Sequence, residues 1–150
     1  MEVFLMDWKR EAKNELRDLP VIREAVRSIP ERLQMIEAKK TGLGSSSTDR
    51  TPVQGGGTPY EDRLLNLIVE AERLTVNMEV NRIRLQLIER GLSALSAQDR
   101  LIVETFAEHR PSEAVDLLAD KLYLERSRIY QLWDQALRRY TIAEFGLTDF

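Results

Sequence analysis

The sequence predicts an all-α protein, and three observations support this fold class. Apolar residues recur every three or four positions along most of the chain, which is the period of an amphipathic helix. Motifs typical of helix starts precede several of these stretches. A long heptad pattern follows a glycine- and serine-rich segment. The 150 residues, 43% hydrophobic and 31% charged, suit one or two small domains.

Residues 1–40 are predicted to form a helical hairpin. Ser28 followed by Glu31 is a capping-box pattern, and Pro30 would lie in the first turn of a second helix. One helix is therefore expected to end near Arg27 and another to begin directly after it. The apolar positions with helical spacing are Phe4, Leu5, Trp8, Ala12, Leu16 and Leu19, followed by Ile22, Val26, Ile29, Leu33 and Ile36.

Residues 41–58 change in composition and are interpreted as a flexible linker. This stretch contains two separated glycines, three consecutive serines and a run of three glycines at 55–57, with little apolar surface to bury. A phosphate-binding loop is the alternative, but no Lys-Ser or Lys-Thr pair follows the glycines and no strand precedes them. We therefore expect a linker.

Residues 59–95 are predicted to form one long helix with a heptad seam. Thr58 is a suitable cap, Pro59 suits the first helical position, and Glu61 completes the capping box. Asn81 is the polar residue of the seam, where a buried Asn can fix register. The candidate oligomerisation residues are Leu64, Leu67, Ala71, Leu74, Met78, Asn81, Leu85 and Ile88, and Leu92 and Leu95 continue the two heptad series. The pattern fits pairing with a second chain and packing on the N-terminal helices equally well.

Residues 96–150 contain the spacing of a helix-turn-helix. The pattern centres on Ala119, a small residue where two helices would cross. Tyr123 occupies the turn position where Gly is commonest, so the turn must tolerate a side chain. The apolar positions that would close the corner are Leu118, Leu122, Leu124, Ile129 and Leu132. The same spacing also occurs in helix pairs of small bundles.

The outward face of the second helix in this pattern carries candidate DNA-binding residues. The positions expected to reach base edges are Arg126, Ser127, Tyr130 and Gln131, with Glu125 at the helix start. The positions expected to meet phosphates are Lys121, Arg128, Arg138 and Arg139. Residues 121–140 hold five Lys or Arg against two acids, whereas the whole chain has a net charge of -3. Basic charge is therefore local, which suits double-stranded DNA as a partner, although Arg-rich helix ends are also common on solvated faces.

The segment from Leu95 to Tyr140 resembles region four of bacterial sigma factors. The similar stretches are Leu95-Ser96 with Asp99-Arg100-Leu101-Ile102-Val103, then Leu118-Ala119-Asp120-Lys121-Leu122, and finally Arg126-Ser127-Arg128-Ile129-Tyr130-Gln131-Leu132 with Ala136-Leu137-Arg138-Arg139. The resemblance implies a promoter-reading helix-turn-helix in which Arg126, Ser127, Tyr130 and Gln131 are base-reading positions. It also makes RNA polymerase a candidate partner.

The order of segments resembles the ArpU/RinA-type late transcription regulators of phages and prophages. The shared features are an N-terminal helical module, a glycine-rich break, a long heptad helix and a C-terminal sigma-like helix-turn-helix. This resemblance implies control of late phage genes in a bacterial host cell. Two alternatives stay open, namely a small terminase-like DNA-packaging protein and a protein-only adaptor of RNA polymerase.

The composition argues against several other classes of protein. The chain has no Cys and one His, so thiolate metal sites and disulfides are excluded and catalytic residues are scarce. We expect no enzyme activity, no metal, no cofactor and no small-molecule substrate. No apolar run approaches the roughly 18 residues that span a bilayer, and acids occur near the N-terminus where a signal peptide carries positive charge. A cytoplasmic location without a membrane partner is expected, with a homodimer as one option.

Overall fold

The structure, a computed structural model, describes residues 6–45 and 58–146, and every element within them is an α-helix. The helices are α1 (Trp8–Ser45), α2 (Pro59–Ser93), α3 (Ala97–Glu108), α4 (Pro111–Leu122) and α5 (Arg126–Phe145). The prediction of an all-α protein is confirmed. The predicted helical positions Phe4 and Leu5, and residues 46–57 of the predicted linker, lie outside the described residues.

The predicted break between two N-terminal helices is wrong, because α1 is one continuous helix of 38 residues. The Ser28 hydroxyl, expected to cap a second helix, lies 3.5 Å from the Ala25 carbonyl oxygen, to which it donates one turn back within α1. Pro30 removes one backbone hydrogen bond, but it is exposed, so water can reach the carbonyl it leaves without a partner. Ile29 and Ile36 are buried seven residues apart on one face, which favours a helix that continues through the proline.

The predicted start of the linker at residue 41 is also wrong, since α1 extends to Ser45. The Thr41 hydroxyl donates to the Glu37 carbonyl oxygen at 3.0 Å, as it does in a regular helix. Adding a residue to an existing helix requires no new nucleation, so a glycine in the last turn costs only about 1 kcal/mol and does not end the helix.

The predicted starts of two later helices are confirmed. α2 begins at Pro59, and the Thr58 hydroxyl accepts a hydrogen bond from the Glu61 amide at 3.2 Å. α3 begins at Ala97, and the Ser96 hydroxyl accepts one from the Asp99 amide at 3.1 Å. Each cap satisfies one of the helix's otherwise unbonded N–H groups, which stabilises a helix by about 1 kcal/mol.

The described residues form two compact units, and the first comprises Met1–Ile22 and Arg84–Phe150. It contains the start of α1, the end of α2, and all of α3, α4 and α5. Its larger core cluster consists of Ala12, Leu16, Leu19, Ile22, Ile88, Leu92, Val103, Ala136, Leu137 and Tyr140. Each fully buried Leu or Ile in such a core contributes about 1.5–3 kcal/mol.

A second core cluster in this unit lies at the corner formed by α3, α4 and α5. Its buried members are Ile102, Phe106, Ala114, Val115, Leu118 and Ile129, with Ala119, Leu122, Leu124, Leu132 and Trp133 packed against them. The Phe106 and Trp133 rings stack with centroids 3.8 Å apart, and the Lys13 ammonium lies 4.5 Å from the Trp133 centroid. All the apolar positions predicted to close the corner between α4 and α5 therefore belong to one cluster.

The second unit, Arg23–Ile83, contains the later part of α1 and most of α2. Its buried apolar residues are Ile29, Ile36 and Met78. Most other side chains of the predicted heptad seam in this unit are half-buried, whereas a different face of α2 is exposed.

The turn between α4 and α5 is closed by a residue in the left-handed conformation. Tyr123 has φ 56° and ψ 43°, and its side chain is 92% exposed. The amides of Tyr123 and Leu124 both donate to the Ala119 carbonyl oxygen, which ends α4. The sequence-based expectation that this turn tolerates a side chain is confirmed, although the left-handed conformation strains any residue with a Cβ atom.

Replacing this tyrosine tests the strain. We expect Tyr123→Gly to raise the free energy of unfolding by about 0.5–1 kcal/mol, because glycine adopts positive φ without a Cβ clash and little packing is lost. Tyr123→Ala is the matched control, since it removes the same ring but keeps the Cβ atom. Urea denaturation of both variants measures the effect, and an equal gain in the two would show that the backbone strain is not its source.

Candidate nucleic-acid interface

The candidate interface is built on α5, whose two faces differ in burial. The face towards the core contains Ile129, Ala136, Leu137 and Tyr140, all buried. The opposite face carries Ser127, Gln131, Asp134 and Arg138, which are exposed and spaced by three or four residues. Because core packing fixes the buried face, the exposed stripe is held in one orientation relative to α4.

All the residues predicted to bind DNA are exposed. They are Lys121, Glu125, Arg126, Ser127, Arg128, Tyr130, Gln131, Arg138 and Arg139. The Glu125 side chain makes no capping hydrogen bond, although Glu125 is the N-cap residue of α5. Tyr130 is partly held against the core, with its ring centroid 6.1 Å from that of Phe106. The positions expected to reach bases therefore lie at the accessible start of α5.

Arg126 forms an ion pair with Asp116 of α4. The Arg126 side chain is 57% exposed, so the pair lies at the surface and contributes little to stability. Its effect is on conformation, because the carboxylate restrains a long side chain near the first turn of α5. No pattern in the sequence indicates this pairing, since Asp116 is one of several acids on α4.

Gln131 and Arg128 are joined by a hydrogen bond within α5. The Arg128 Nη1 donates to the Gln131 Oε1 at 3.1 Å. A bidentate contact between Gln and adenine uses both the amide oxygen and the amide nitrogen of the side chain. The amide oxygen has two lone pairs, so Gln131 can read adenine while it keeps the hydrogen bond from Arg128, and the remaining N–H groups of the guanidinium can meet a nearby phosphate.

Arg139 has a structural partner in addition to its predicted phosphate contact. Its Nη1 donates to the Asp99 Oδ2 at 2.6 Å, and the Asp99 side chain is only 9% exposed. Asp99 also takes part in the cap at the start of α3 through its amide. Arg139 thus compensates a buried carboxylate and ties α5 to α3, a role that the sequence did not indicate because 40 residues separate the two.

The adjacent arginines Arg138 and Arg139 allow the structural role of the ion pair with Asp99 to be separated from the predicted phosphate contacts. We expect Arg139→Ala to lower the free energy of unfolding by about 1–2 kcal/mol, because it leaves the Asp99 carboxylate without its charged partner. We expect Arg138→Ala to leave stability unchanged, since Arg138 is exposed and takes no ion pair with the described residues. Thermal or urea denaturation measures the difference, and equal stabilities of the two variants would contradict the assigned role of Arg139.

Lys9 of α1 is an additional residue at this surface. Its ammonium forms an ion pair with Asp134, the acid on the exposed stripe of α5. An unneutralised carboxylate there would repel a phosphate backbone. Since 125 residues separate the two positions, no local pattern in the sequence could have revealed the contact.

The residues predicted to mediate oligomerisation are largely covered within one copy of the chain. Met78 and Ile88 are buried, and the remaining members are half-buried: Leu64, Leu67, Ala71, Leu74, Asn81 and Leu85. A seam that already packs inside the chain has little surface left for a second copy. This burial favours the intramolecular alternative for the seam.

Comparisons of the chain with protein-family models, with curated proteins and with solved structures each found no match. Among the described helices, none combines the length and the apolar content that a membrane-spanning segment requires. The described residues also contain no group of three or more His, Asp or Glu side chains placed to hold a metal ion. The site is therefore interpreted from its own geometry and charge.

Proposed function

We propose that the chain is a sequence-specific DNA-binding transcriptional regulator in which α4 and α5 act as a helix-turn-helix. One observation carries the proposal: the first turns of α5 present Arg126, Ser127, Tyr130 and Gln131 to solvent, while the opposite face of α5 is fixed in a core. A rigid helix with polar, hydrogen-bonding side chains at its accessible start is what major-groove reading requires.

In the proposed complex, the ion pair of Arg126 in the free chain is exchanged for a contact with DNA. Arg126 leaves Asp116 and makes a bidentate contact to guanine, and Gln131 reads adenine while its amide oxygen still accepts from Arg128. Arg128, Lys121 and Arg138 contact phosphates and supply affinity that weakens as salt increases. Breaking the exposed Arg126–Asp116 ion pair costs at most about 1 kcal/mol, so it does not prevent the contact with DNA.

The resemblance to sigma region four and to ArpU/RinA-type regulators supports a narrower form of the proposal, control of phage or prophage late genes. That resemblance rests on the stretch from Leu95 to Tyr140 and on the order of the segments. RNA polymerase is then a second partner beside double-stranded DNA. Direct capture of polymerase by the full chain, with and without promoter DNA, tests this part separately.

The proposed function is tested by selecting bound sequences from a random duplex library. We expect the full chain to enrich a defined motif, and Gln131→Ala to blur or shift that motif at one position. Gln34→Ala is the matched control, because Gln34 is an exposed glutamine of α1 in the other unit. No enrichment by the unmodified chain, with only weak salt-sensitive binding, would contradict sequence-specific recognition.

Arg126 makes a second, quantitative test possible. We expect Arg126→Ala to weaken binding to the selected motif about tenfold, or about 1.4 kcal/mol, and to relax the preference at one base pair. Titration of labelled duplexes measures both effects. Arg32→Ala, at an exposed arginine of the other unit, is expected to bind like the unmodified chain. An equal loss on every sequence would show that Arg126 contacts phosphate only.

The two alternative functions predict different masses in solution and different binding to DNA. A terminase-like packaging protein would assemble into a ring, so its mass in solution would be a large multiple of the chain mass. A protein-only adaptor would capture RNA polymerase without DNA and would shift no duplex. Either result would replace the proposed function.

A further inference from the structure

α2 carries a second apolar stripe, on the face opposite the predicted heptad seam. Its members are Leu65, Val69, Val76, Val80 and Ile83, and their side chains are 45% to 62% exposed. At about 100° per residue these five positions fall within an arc of about 60°, centred about 180° from the seam. These five residues form the valine stripe of α2.

The valine stripe has the spacing of a coiled-coil interface. Val69, Val76 and Ile83 recur every seven residues, and Val80 follows Val76 by four. With Val69, Val76 and Ile83 at d positions, Val80 and Arg73 fall at a positions. Such a stripe of large exposed side chains on one helix marks an interaction surface rather than a scatter of single apolar residues.

We propose that the valine stripe is the interface between two copies of this chain, paired in parallel through α2. This proposal does not depend on DNA binding. It differs from pairing through the predicted seam, whose side chains are already covered within one copy.

Charge complementarity identifies a second copy as the occupant and parallel as the orientation. In a parallel pair the two Arg73 side chains share one layer, and each can extend to the preceding g residue of the other helix, Glu72 of the second copy, so that two ion pairs offset one like-charge contact. In an antiparallel pair, g positions face g positions, which brings Glu72 and Glu79 of the two copies together. Neither Glu72 nor Arg73 takes an ion pair within the described part of the chain, so both are available.

The mass of the full chain in solution tests the proposal without DNA. We expect sedimentation equilibrium to show a concentration-dependent dimer, and Val76→Glu to raise its dissociation constant at least about tenfold, because the dimer would bury a carboxylate. Thr75→Glu is the matched control: it adds the same charge one residue earlier, at an exposed position off the stripe, and is expected to leave the dissociation constant unchanged. Circular dichroism verifies that both variants keep their helices.

Cross-linking tests the orientation, and the absence of native cysteines makes it unambiguous. We expect Val69→Cys alone to form a disulfide-linked dimer under oxidation, since equal positions face each other in a parallel pair. A chain that stays monomeric at every concentration, or that Val76→Glu and Thr75→Glu affect equally, overturns the proposal. A dimer that cross-links only when Val69→Cys is mixed with Val80→Cys, which would face each other in an antiparallel pair, overturns the parallel arrangement.

Discussion

Gly91→Ala is expected to lower the free energy of unfolding by about 3 kcal/mol, although alanine is normally the better helix former. A Cβ atom on Gly91 would lie 2.6 Å from Cε2 and 2.9 Å from Cδ2 of the Tyr140 ring. Tyr140 is fully buried in the larger core cluster, and its hydroxyl donates to Glu144. The ring therefore cannot move away without disturbing α5 or the cluster around it.

Gly42→Ala is the matched control for this substitution. Gly42 is also helical, but a Cβ atom there would meet nothing within 4 Å apart from its neighbours and the backbone of its own helix, so the change should stabilise α1 by about 0.5–1 kcal/mol. Urea denaturation followed by circular dichroism compares the two variants. Tryptophan fluorescence reports the first unit specifically, because Trp8 and Trp133 both belong to it. Equal stability of Gly91→Ala and the unmodified chain would show that the close approach of α2 and α5 relaxes at little cost.

The fold was predictable from sequence where local chemistry determines the structure. The Thr58 and Ser96 caps were read correctly because a cap depends on residues within one turn. The positions that close the corner of α4 and α5 were found because their spacing follows from helix geometry. The predicted helix break at Ser28 and Pro30 is wrong. There the local capping motif competes with the burial of a long apolar face of α1, and the sequence does not show which of the two contributes more to stability.

The candidate site was predictable in its exposed residues but not in their partners. The outward positions of α5 follow from the buried ones, since both lie on the same regular helix. The partners of Arg126, Arg139 and Asp134 come from other helices, so they depend on tertiary packing that local patterns do not encode. On α2, the prediction from sequence took the leucine-rich seam as the heptad face and missed the valine stripe, because each face alone satisfies a heptad pattern.

The buried end of α5 also predicts an unusual dependence of stability on pH. Burial, a hydrogen bond to Glu144 and the charge of Glu144 together raise the pKa of Glu15 from 4.5 to about 8. Arg84 opposes this rise in the pKa and Glu11 adds to it, while the Tyr140 hydroxyl donates to Glu144 from the adjacent turn. At neutral pH Glu15 therefore keeps its proton and can donate it in a hydrogen bond to Glu144.

Because the pKa of Glu15 is raised in the folded chain, the free energy of unfolding falls as the pH rises. The folded chain holds the Glu15 proton at pH values where the unfolded chain has lost it, so the stabilisation is complete below about pH 4.5 and is lost as the pH rises through about 8. We expect the free energy of unfolding to fall by about 2 kcal/mol between these limits, a value reduced for the solvent screening of a half-exposed carboxyl.

Glu15→Gln is expected to remove most of this dependence. The amide keeps a donor towards Glu144 at every pH and never acquires a charge, so the variant should be more stable than the unmodified chain at pH 8 and above. Glu31→Gln is the matched control, because it removes an exposed carboxylate of α1 in the other unit that does not contribute to the pKa of Glu15, and it should keep the unmodified dependence on pH. Urea denaturation at a series of pH values measures how the free energy of unfolding depends on pH in the unmodified chain and in the two variants. If Glu15→Gln and the unmodified chain lost stability in parallel between pH 5 and pH 8, another pair of groups would have to hold the proton.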